Sequence, residues 1–314
     1  MHLLIPFASH DDEQARALLP TLQLPHLSAL MGRLAAGAMD AGTAESKTPP
    51  HERVLARLLG WSAGHAVPDG CAPWAAYVCF MQGKAPDGKA WAEFTPCFWD
   101  VRTAHIQMAA PEDLQLSQGE SQAILAAMQP YFMEDRITVE YDSPTRWWAS
   151  SPLFEGLATA SLDRVVGGNT NDWMPEADAA KPLRRLQNEM QMLLYTHPVN
   201  EARIARGALP VNSLWISGTG VLQEMPKASD VRVLRDLAAP ALRADWAAWG
   251  TAWEQLDASA CKEALAALDN KKAVQLTLCG TSHAQSYGHS TKPLITQFLR
   301  KFSPMSASNG LASL

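Results

Sequence analysis

The segment from Arg184 to Gly220 constrains the fold of this chain more than any other. Apolar residues recur at helical spacing between positions 183 and 194, which predicts a helix with one buried face. Pro198 ends that helix, because the residue before a proline is disfavoured in the α region. A β-rich run, Val211 to Ile216, then leads into Ser217-Gly218-Thr219-Gly220. Open α/β sheets bind ligands where strands end, so the pattern favours an α/β fold with a ligand loop here, although an ordinary glycine turn looks the same.

Between the helix and the strand, the sequence predicts a second short helix from Glu201 to Arg206, closed by Gly207. Asn200 is well placed to cap this helix, and the alternative is that Asn200 and His197 orient a ligand. Arg203 either clamps a carboxylate or phosphate through two hydrogen bonds or forms a salt bridge across the helix.

Composition sets the class of protein. With 314 residues, 47% of them hydrophobic and 18% charged, the chain is long enough for one large α/β domain or a core with a smaller insert. The net charge of −6 argues against nucleic acid and anionic membranes as partners. Five cysteines without a C-x-x-C pair favour reduced thiols in the cytoplasm. The first residues have no basic start and too short an apolar run for a signal peptide, so we expect none. No apolar run approaches the roughly 20 residues of a membrane helix, so we expect a cytoplasmic protein.

The rest of the chain alternates predicted strands and helices. We expect strands at His2–Ala8, Trp74–Phe80 and Ala273–Cys279, a loop at 37–50, and helical or mixed structure at 231–234. The loop after the last strand runs to position 291 and precedes a helix near 294–301. Trp246, Trp249 and Trp253 recur at helical spacing and predict a packed helix face.

Residues 88–160 predict a separate α+β module in the order β-β-α-β-β. Its helix follows a capping box, with Ser117 as the cap and Glu120 at the third helical position.

The opening segment also resembles the archaeal-type cofactor-independent phosphoglycerate mutases of the alkaline phosphatase superfamily. The resemblance is carried by His197-Pro198-Val199-Asn200 and then by Arg203, Gly207, Pro210, Asn212, Trp215, Gly218 and Gly220. It implies an α/β core of the alkaline-phosphatase type, formed by residues 1–87 and 161–314, with an inserted α+β cap at 88–160. The chain is also similar to bacterial proteins labelled RpfE-type regulatory proteins, a label that describes no chemistry.

The loop after the last strand carries a second part of the resemblance. Where the family has an Asp-His metal pair this chain has Ser282-His283, and Gly288-His289-Ser290 matches the family's later His-Ser pair. The resemblance therefore makes His283 and His289 candidate ligands for zinc or manganese. The alternatives are that the two histidines hydrogen-bond a phosphate or backbone groups.

Other positions of the family's two-metal site do not match. The family's first strand ends in an aspartate ligand, whereas this one ends Ile5-Pro6-Phe7-Ala8. Asp11 or Asp12 replaces that ligand only if the loop folds back. The segment between Trp253 and Ala273, where the family has a further histidine ligand, contains no histidine. These losses argue against two-metal catalysis, and no hydroxyl is marked as a nucleophile by its spacing.

Two hypotheses follow. The first is a mutase-like, metal-dependent phosphomutase or phosphohydrolase acting on a small phosphorylated acid with Mn or Zn. The second is a non-catalytic regulatory or ligand-binding protein on the same fold, without a metal and with a small phosphorylated or carboxylate ligand or an oligomer as partner. The expected ligand-binding residues are Arg203, His197, Asn200, Thr219 and Ser290, and no catalytic residue is identified.

Overall fold

The computed structural model describes residues 1–61, 67–84, 88–101, 105–175, 178–289 and 307–314. The chain divides into two compact units, the first formed by 1–59 and 227–314 and the second by 60–226. The second unit contains the expected insert of 88–160 but is larger than predicted. Residues 60–87 and 161–226, which the prediction placed in the core, also belong to this unit. The helix at 74–81 packs on its sheet, and the strand at 213–221 completes that sheet. A role of this unit as a cap stays a prediction.

The described residues form eleven strands and twelve α-helices. The strands are β1 His2–Ile5, β2 Ala35–Ala41, β3 Ala90–Cys97, β4 Trp99–Val101, β5 Ile106–Met108, β6 Thr138–Ser143, β7 Arg146–Ser150, β8 Ser213–Val221, β9 Val231–Val233, β10 Gln275–Cys279 and β11 His283–Gly288. The helices are α1 Glu13–Leu18, α2 Pro25–Arg33, α3 Pro50–Leu58, α4 Trp74–Met81, α5 Gln118–Glu134, α6 Leu162–Val165, α7 Lys181–Tyr195, α8 Pro198–Ala205, α9 Ala238–Leu242, α10 Trp246–Leu256, α11 Lys262–Asp269 and α12 Ala307–Ala312. Among these residues, no helix is both long and apolar enough to cross a bilayer.

The first unit is built on a mixed sheet of order β2-β11-β10-β1-β9. β1 lies parallel to β10 and β9, and β11 is antiparallel to β10 and β2. All four residues of β1 are buried, as expected for a central parallel strand. The apolar core beneath this sheet collects side chains from α2, α10, α11 and α12. The helix predicted from the spaced tryptophans is thus confirmed as α10, whose Trp249 and Trp253 are fully buried.

A π-helical turn, Asp257–Cys261, joins α10 to α11 and directs the carboxylate of Asp257 toward α2. Asp257 is buried and accepts hydrogen bonds from the backbone N–H groups of His26 (3.3 Å) and Leu27 (2.7 Å). These groups lie in the first turn of α2, where N–H groups have no partner within the helix. Asp257 therefore acts as a distant N-terminal cap of α2.

The second unit contains an antiparallel sheet of order β6-β7-β3-β8. One face packs on α5 and α7, whereas α4 covers part of the other face. The predicted capping box of α5 is confirmed, with Ser117 and Glu120 bonded reciprocally. β4 and β5 form a separate two-stranded ribbon.

Four stretches differ from their predicted secondary structure. The apolar run at 74–81 is α4 rather than a strand, because Ala75, Ala76 and Cys79 pack inward at helical spacing. The predicted loop at 37–50 begins inside strand β2, and the predicted loop after β10 contains strand β11. Residues 231–233, predicted as helical or mixed structure, form strand β9. Each is short or weakly apolar, so only pairing within the sheet reveals it. The expected final helix at 294–301 lies outside the described residues.

Candidate functional site

The candidate site is the carboxyl edge of the first unit's sheet, defined by the ends of β1, β2 and β10 and the start of β11. β2 and β10 are both antiparallel to β11, so they run in the same direction as each other and end at the same edge as β1. His283, the first residue of β11, pairs with Ala41 at this edge. Ligands of open α/β sheets bind at such edges.

The turn after β1 has an unusual conformation. Phe7 lies in the left-handed region with φ of 56°, which is strained for a bulky side chain. Three hydrogen bonds hold the turn: Trp249 Nε1 donates to the Phe7 carbonyl (3.0 Å), Trp253 Nε1 donates to the Ala8 carbonyl (3.2 Å), and the Ala8 N–H donates to the Cys279 carbonyl (2.7 Å). This scaffold places the half-buried Phe7 ring 5.8 Å from the ring of His51 on α3.

The acidic residues after this turn serve the local fold. Asp12 caps α1 by accepting from the N–H groups of Gln14 (2.8 Å) and Ala15 (3.4 Å). Asp11 pairs with Arg16 at 2.5 Å. Neither carboxylate is directed back toward β1 as the substitution for the missing ligand requires.

His10 lies in the same loop and packs on Trp246, with ring centroids 4.8 Å apart. Its Nδ1 accepts from the Asp12 N–H at 3.0 Å. Burial lowers the pKa of His10, although Asp12 and Asp11 act to raise it, so the neutral ring predominates at neutral pH.

A hydroxyl and an imidazole meet in the hairpin between β10 and β11. Ser282 Oγ lies 2.8 Å from His283 Nδ1, and the hairpin is closed by the Gly280 N–H donating to the His283 carbonyl at 2.9 Å. Both side chains are half-buried. The hairpin therefore presents a fixed polar pair at the carboxyl edge.

Arg53 of α3 fixes the hairpin to its surroundings. Its guanidinium donates to the Ser282 carbonyl (2.8 Å), the Thr48 carbonyl (2.9 Å) and the Asp40 carboxylate on β2 (2.9 Å). Asp40 also accepts from Arg57 at 2.7 Å. Three segments of the edge are thus held by one cation, a role for Arg53 that no motif in the sequence indicates.

The structure does not bring the two candidate metal ligands together. His283 begins β11, whereas His289 follows its last residue and accepts from the Val274 N–H at 3.4 Å. At the rise of about 3.3 Å per residue in a strand, six residues separate their backbones by roughly 20 Å. The two histidines therefore do not hold one metal ion together in this structure, because the predicted loop is a strand. A metal role for either histidine alone stays a prediction. Ser290 lies outside the described residues.

Three of the expected ligand residues have structural partners in the second unit. The N-cap of α8 is His197, whose Nδ1 accepts from the Val199 N–H, so the prediction that Asn200 caps this helix is wrong. Asn200 is buried and instead links the carbonyls of Leu194 and Val211. Arg203 is fully buried and donates to the carbonyls of Leu209 and Leu114 and to Glu120. A ligand role for these residues stays a prediction, and for Asn200 and Arg203 it requires displacing these bonds.

Thr219 and its neighbouring glycines belong to a continuous strand rather than a loop. Thr219 Oγ1 is buried and donates to the Leu157 carbonyl at 2.5 Å. A Cβ at Gly218 would lie 3.1 Å from the backbone nitrogen of Ala75, and one at Gly220 would lie 3.2 Å from Pro73. The close approach of α4 accounts for both glycines. The segment is therefore a strand, and neither the predicted ligand loop nor the ordinary glycine turn given as its alternative is observed.

The donors at the first unit's carboxyl edge do not fit the two-metal site that the resemblance implies. The turn after β1 offers Phe7, Asp40 is paired with two arginines, and His283 is hydrogen-bonded to Ser282. Sequence reasoning missed His51 and Glu52 on α3, whose ligand atoms lie within 4.8 Å of one another.

Comparisons with known proteins support a local similarity to phosphoglycerate mutases. No protein-family model matches the chain. The 2,3-bisphosphoglycerate-independent phosphoglycerate mutase of Methanothrix thermoacetophila is 31% identical over 71 residues, which are 23% of this chain and 18% of that protein. A probable 2,3-bisphosphoglycerate-independent phosphoglycerate mutase of Geobacter sulfurreducens is 29% identical over 70 residues, 22% of this chain and 18% of that protein. The chain thus matches less than a fifth of the length of these curated relatives.

Two solved structures are similar over most of the chain at low identity. The cofactor-independent phosphoglycerate mutase of Thermoplasma acidophilum shares 13% identity and a TM-score of 0.38, with 99% of this chain and 97% of that chain covered. A Pyrococcus horikoshii protein shares 11% identity and a TM-score of 0.46, with 92% and 87% covered. The similarity to bacterial RpfE-type proteins stays a prediction.

Proposed function

We propose that this chain is a phosphoglycerate-mutase-like protein with a degenerate metal site, which binds a small phosphorylated or carboxylate ligand at the carboxyl edge of its first unit. The observation that carries the proposal is the pairing of two features at that edge. Ser282 and His283 form a fixed polar pair, while Phe7 stands where the resemblance implies a carboxylate ligand. We expect such a protein to lie in the cytoplasm and to have a regulatory rather than a catalytic role.

The polar pair suits an anion because it can supply hydrogen-bond donors without a metal. When Ser282 donates to Nδ1 of His283, the neutral ring carries its proton on Nε2 and can donate it to a ligand oxygen. When the ligand accepts from the Ser282 hydroxyl instead, the other tautomer donates from Nδ1. Hydrogen bonds to an anionic acceptor contribute roughly 1.5–3 kcal/mol each, more than those between neutral groups.

Metal content and ligand binding together test this proposal. We expect protein dialysed against micromolar zinc and manganese, and then against buffer, to keep less than one metal ion per chain. We also expect 3-phosphoglycerate to raise the melting temperature equally with and without EDTA. The Ser282→Ala and His283→Ala variants should lose most of this shift, whereas the exposed Ser229→Ala control should keep it.

A metal-dependent phosphomutase is the second candidate, favoured by the local match to two curated mutases. It predicts about two metal ions per chain and isomerisation of phosphoglycerate that EDTA abolishes. That result would contradict the degenerate site and would require donors beyond those at the first unit's carboxyl edge.

A further inference from the structure

A glutamate lies in the middle of the second unit's sheet, on the interior strand β3. Glu93 pairs with Trp148 of β7 on one side and with Ser217 of β8 on the other. Residues that face each other across antiparallel strands point to the same side of the sheet, so these three side chains lie together. They lie on the side that α4 covers in part, opposite the side that packs on α5 and α7. The sheet thus carries a carboxyl group among buried side chains rather than at its rim.

The carboxyl group of Glu93 has few partners for a group in this position. Within the described part of the chain it accepts one hydrogen bond, from Thr95 Oγ1 at the long distance of 3.5 Å. Arg146 attracts it, but the Arg146 guanidinium donates to Asp142 at 2.8 Å. Burial raises the pKa of Glu93, and the charges of Asp142 and Asp163 act in the same direction. A cation that joins this group would therefore stabilise its ionised form.

Two hydroxyl groups beside Glu93 also lack strong partners. Ser217 is only 7% exposed, and its hydroxyl makes no hydrogen bond to a group in the described ranges of the chain. Thr95, which follows Glu93 by two residues and so shares its face, is 1% exposed and makes only the long bond to the carboxylate. Buried hydroxyl groups in proteins are normally hydrogen-bonded. Three side chains with spare acceptor oxygens therefore lie side by side.

This set of acceptors matches a primary ammonium group. Such a group has three N–H donors and no acceptor, and Glu93, Thr95 and Ser217 supply one acceptor side chain for each donor. The indole rings of Trp148 and Trp215 stand opposite Glu93 and Thr95 on the neighbouring strands, and both are fully buried. They surround the acceptors with apolar surface, which strengthens the attraction for a positive charge and suits a short alkyl chain.

A divalent metal ion fits this face less well. Magnesium and calcium take about six to eight oxygen ligands, most of them from carboxylates, carbonyls and water. The side chains beside Glu93 supply mainly hydroxyl oxygens, and the nearby Asp142 is held by Arg146. From these observations we propose that Glu93, Thr95 and Ser217 bind a small primary alkylammonium ligand in the second unit, in addition to the anion proposed for the first unit.

Titration of n-propylammonium chloride into isotope-labelled protein, followed by NMR, tests this proposal. We expect the backbone amide signals of Thr95 and Ser217 to shift with added ligand and to reach saturation. Tetramethylammonium chloride carries the same charge without N–H donors, so at the same concentration it should leave both signals unchanged. Because the ligand binds the ionised carboxylate, its affinity should fall as the pH is lowered through the pKa of Glu93.

Substitutions separate the three contacts. Glu93→Gln should abolish the saturable shift, because it removes the negative charge. Ser217→Ala and Thr95→Val should each weaken binding about tenfold, as expected for one lost bond to a charged group. Glu201→Gln, at an exposed position on α8, is the matched control and should bind like the wild type. If Glu93→Gln fails to fold by circular dichroism, the two hydroxyl variants and the pH dependence of the wild type make the same test.

Three results would overturn the proposal. The first is a wild-type protein whose Thr95 and Ser217 signals do not respond to propylammonium, or respond equally to tetramethylammonium. The second is a response to magnesium chloride alone, which would indicate a metal site. The third is a folded Glu93→Gln variant that binds propylammonium as tightly as the wild type.

Discussion

Phe7 shows how much the end of β1 depends on one residue. Its left-handed backbone is held by indole N–H groups of Trp249 and Trp253 rather than by its own preference. The left-handed conformation is less stable by about 1–2 kcal/mol for a residue with a Cβ, whereas for glycine the difference is close to zero. The conformation is therefore imposed by the packing of α10 beneath the turn.

This strain predicts an inverted order of substitutions. Phe7→Gly and Phe7→Ala both lose the ring that lies beside His51, but only glycine also relieves the backbone. We expect Phe7→Gly to have a free energy of unfolding about 1 kcal/mol higher than Phe7→Ala. Urea denaturation measures both values, and an alanine variant as stable as the glycine variant would show that Phe7 is unstrained.

Glu120 illustrates an electrostatic contribution to the second unit. Burial raises its pKa, but hydrogen bonds from Ser117 and Arg206 and the charge of Arg203 outweigh burial and bring the pKa to about 2. Because the folded pKa is lower than the unfolded value near 4.3, the stabilisation is full above that value. It is lost as the pH falls toward about 2.

Glu120→Gln should therefore reduce the free energy of unfolding at pH 7 by at most about 3 kcal/mol, the equivalent of the pKa shift. The difference from the wild type should shrink as the pH is lowered from 5 toward 2. Chemical denaturation across this pH range measures it, with Glu112→Gln as an exposed control in the same segment. If the difference in free energy of unfolding between the wild type and Glu120→Gln were constant with pH, the lowered pKa of Glu120 would be contradicted.

Helix α4 is the element that sequence reasoning described least well, and it explains a motif. The run WAAYVCFM is apolar on nearly every side, so its period does not distinguish a strand from a helix. Once it is placed as a helix over β8, the glycines of the Ser217–Gly220 segment follow from its close approach. The Gly218-Thr219-Gly220 sequence is thus explained by the close packing of α4 on β8.

Gly218→Ala tests that packing. Its φ of 63° strains any side chain, and its new Cβ would also crowd Trp74 and Ala75 at 3.1 Å. Gly83→Ala has the same backbone strain, with φ of 78°, but no atom within 4 Å. We expect Gly218→Ala to cost about 1–2 kcal/mol more than Gly83→Ala in thermal or urea unfolding. If the two substitutions destabilised the protein equally, α4 would be able to move away from the new Cβ without a loss of stability.

At the scale of the whole molecule, the sequence predicts local features better than it predicts distances between residues in different parts of the fold. The capping box of Ser117 and Glu120 and the tryptophan face of α10 are confirmed, because both depend on residues within one turn or one helix. The cap of α8 went to His197 rather than Asn200, since Asn200 is drawn into bonds with distant carbonyls. The distance between His283 and His289 depends on β11, a strand with weak β propensity whose pairing partner β2 is equally weak.

The same limit applies to the candidate site. Its missing first-strand carboxylate is visible as Phe7 in the sequence, whereas the contribution of Arg53 is not. Arg53 joins segments that are 13 and 229 residues away along the chain. Only the folded sheet brings Asp40 and Ser282 to one guanidinium.

The central claim is that this edge binds a small anion through Ser282 and His283 without a two-metal site. Isothermal titration of 3-phosphoglycerate into the protein in EDTA tests it most directly, with Ser282→Ala beside the wild type. The account predicts saturable binding near one ligand per chain, weakened about tenfold or more in the variant, as expected for a lost bond of about 1.5 kcal/mol. Binding that appears only after manganese or zinc is restored, or that is the same in Ser282→Ala, would contradict it.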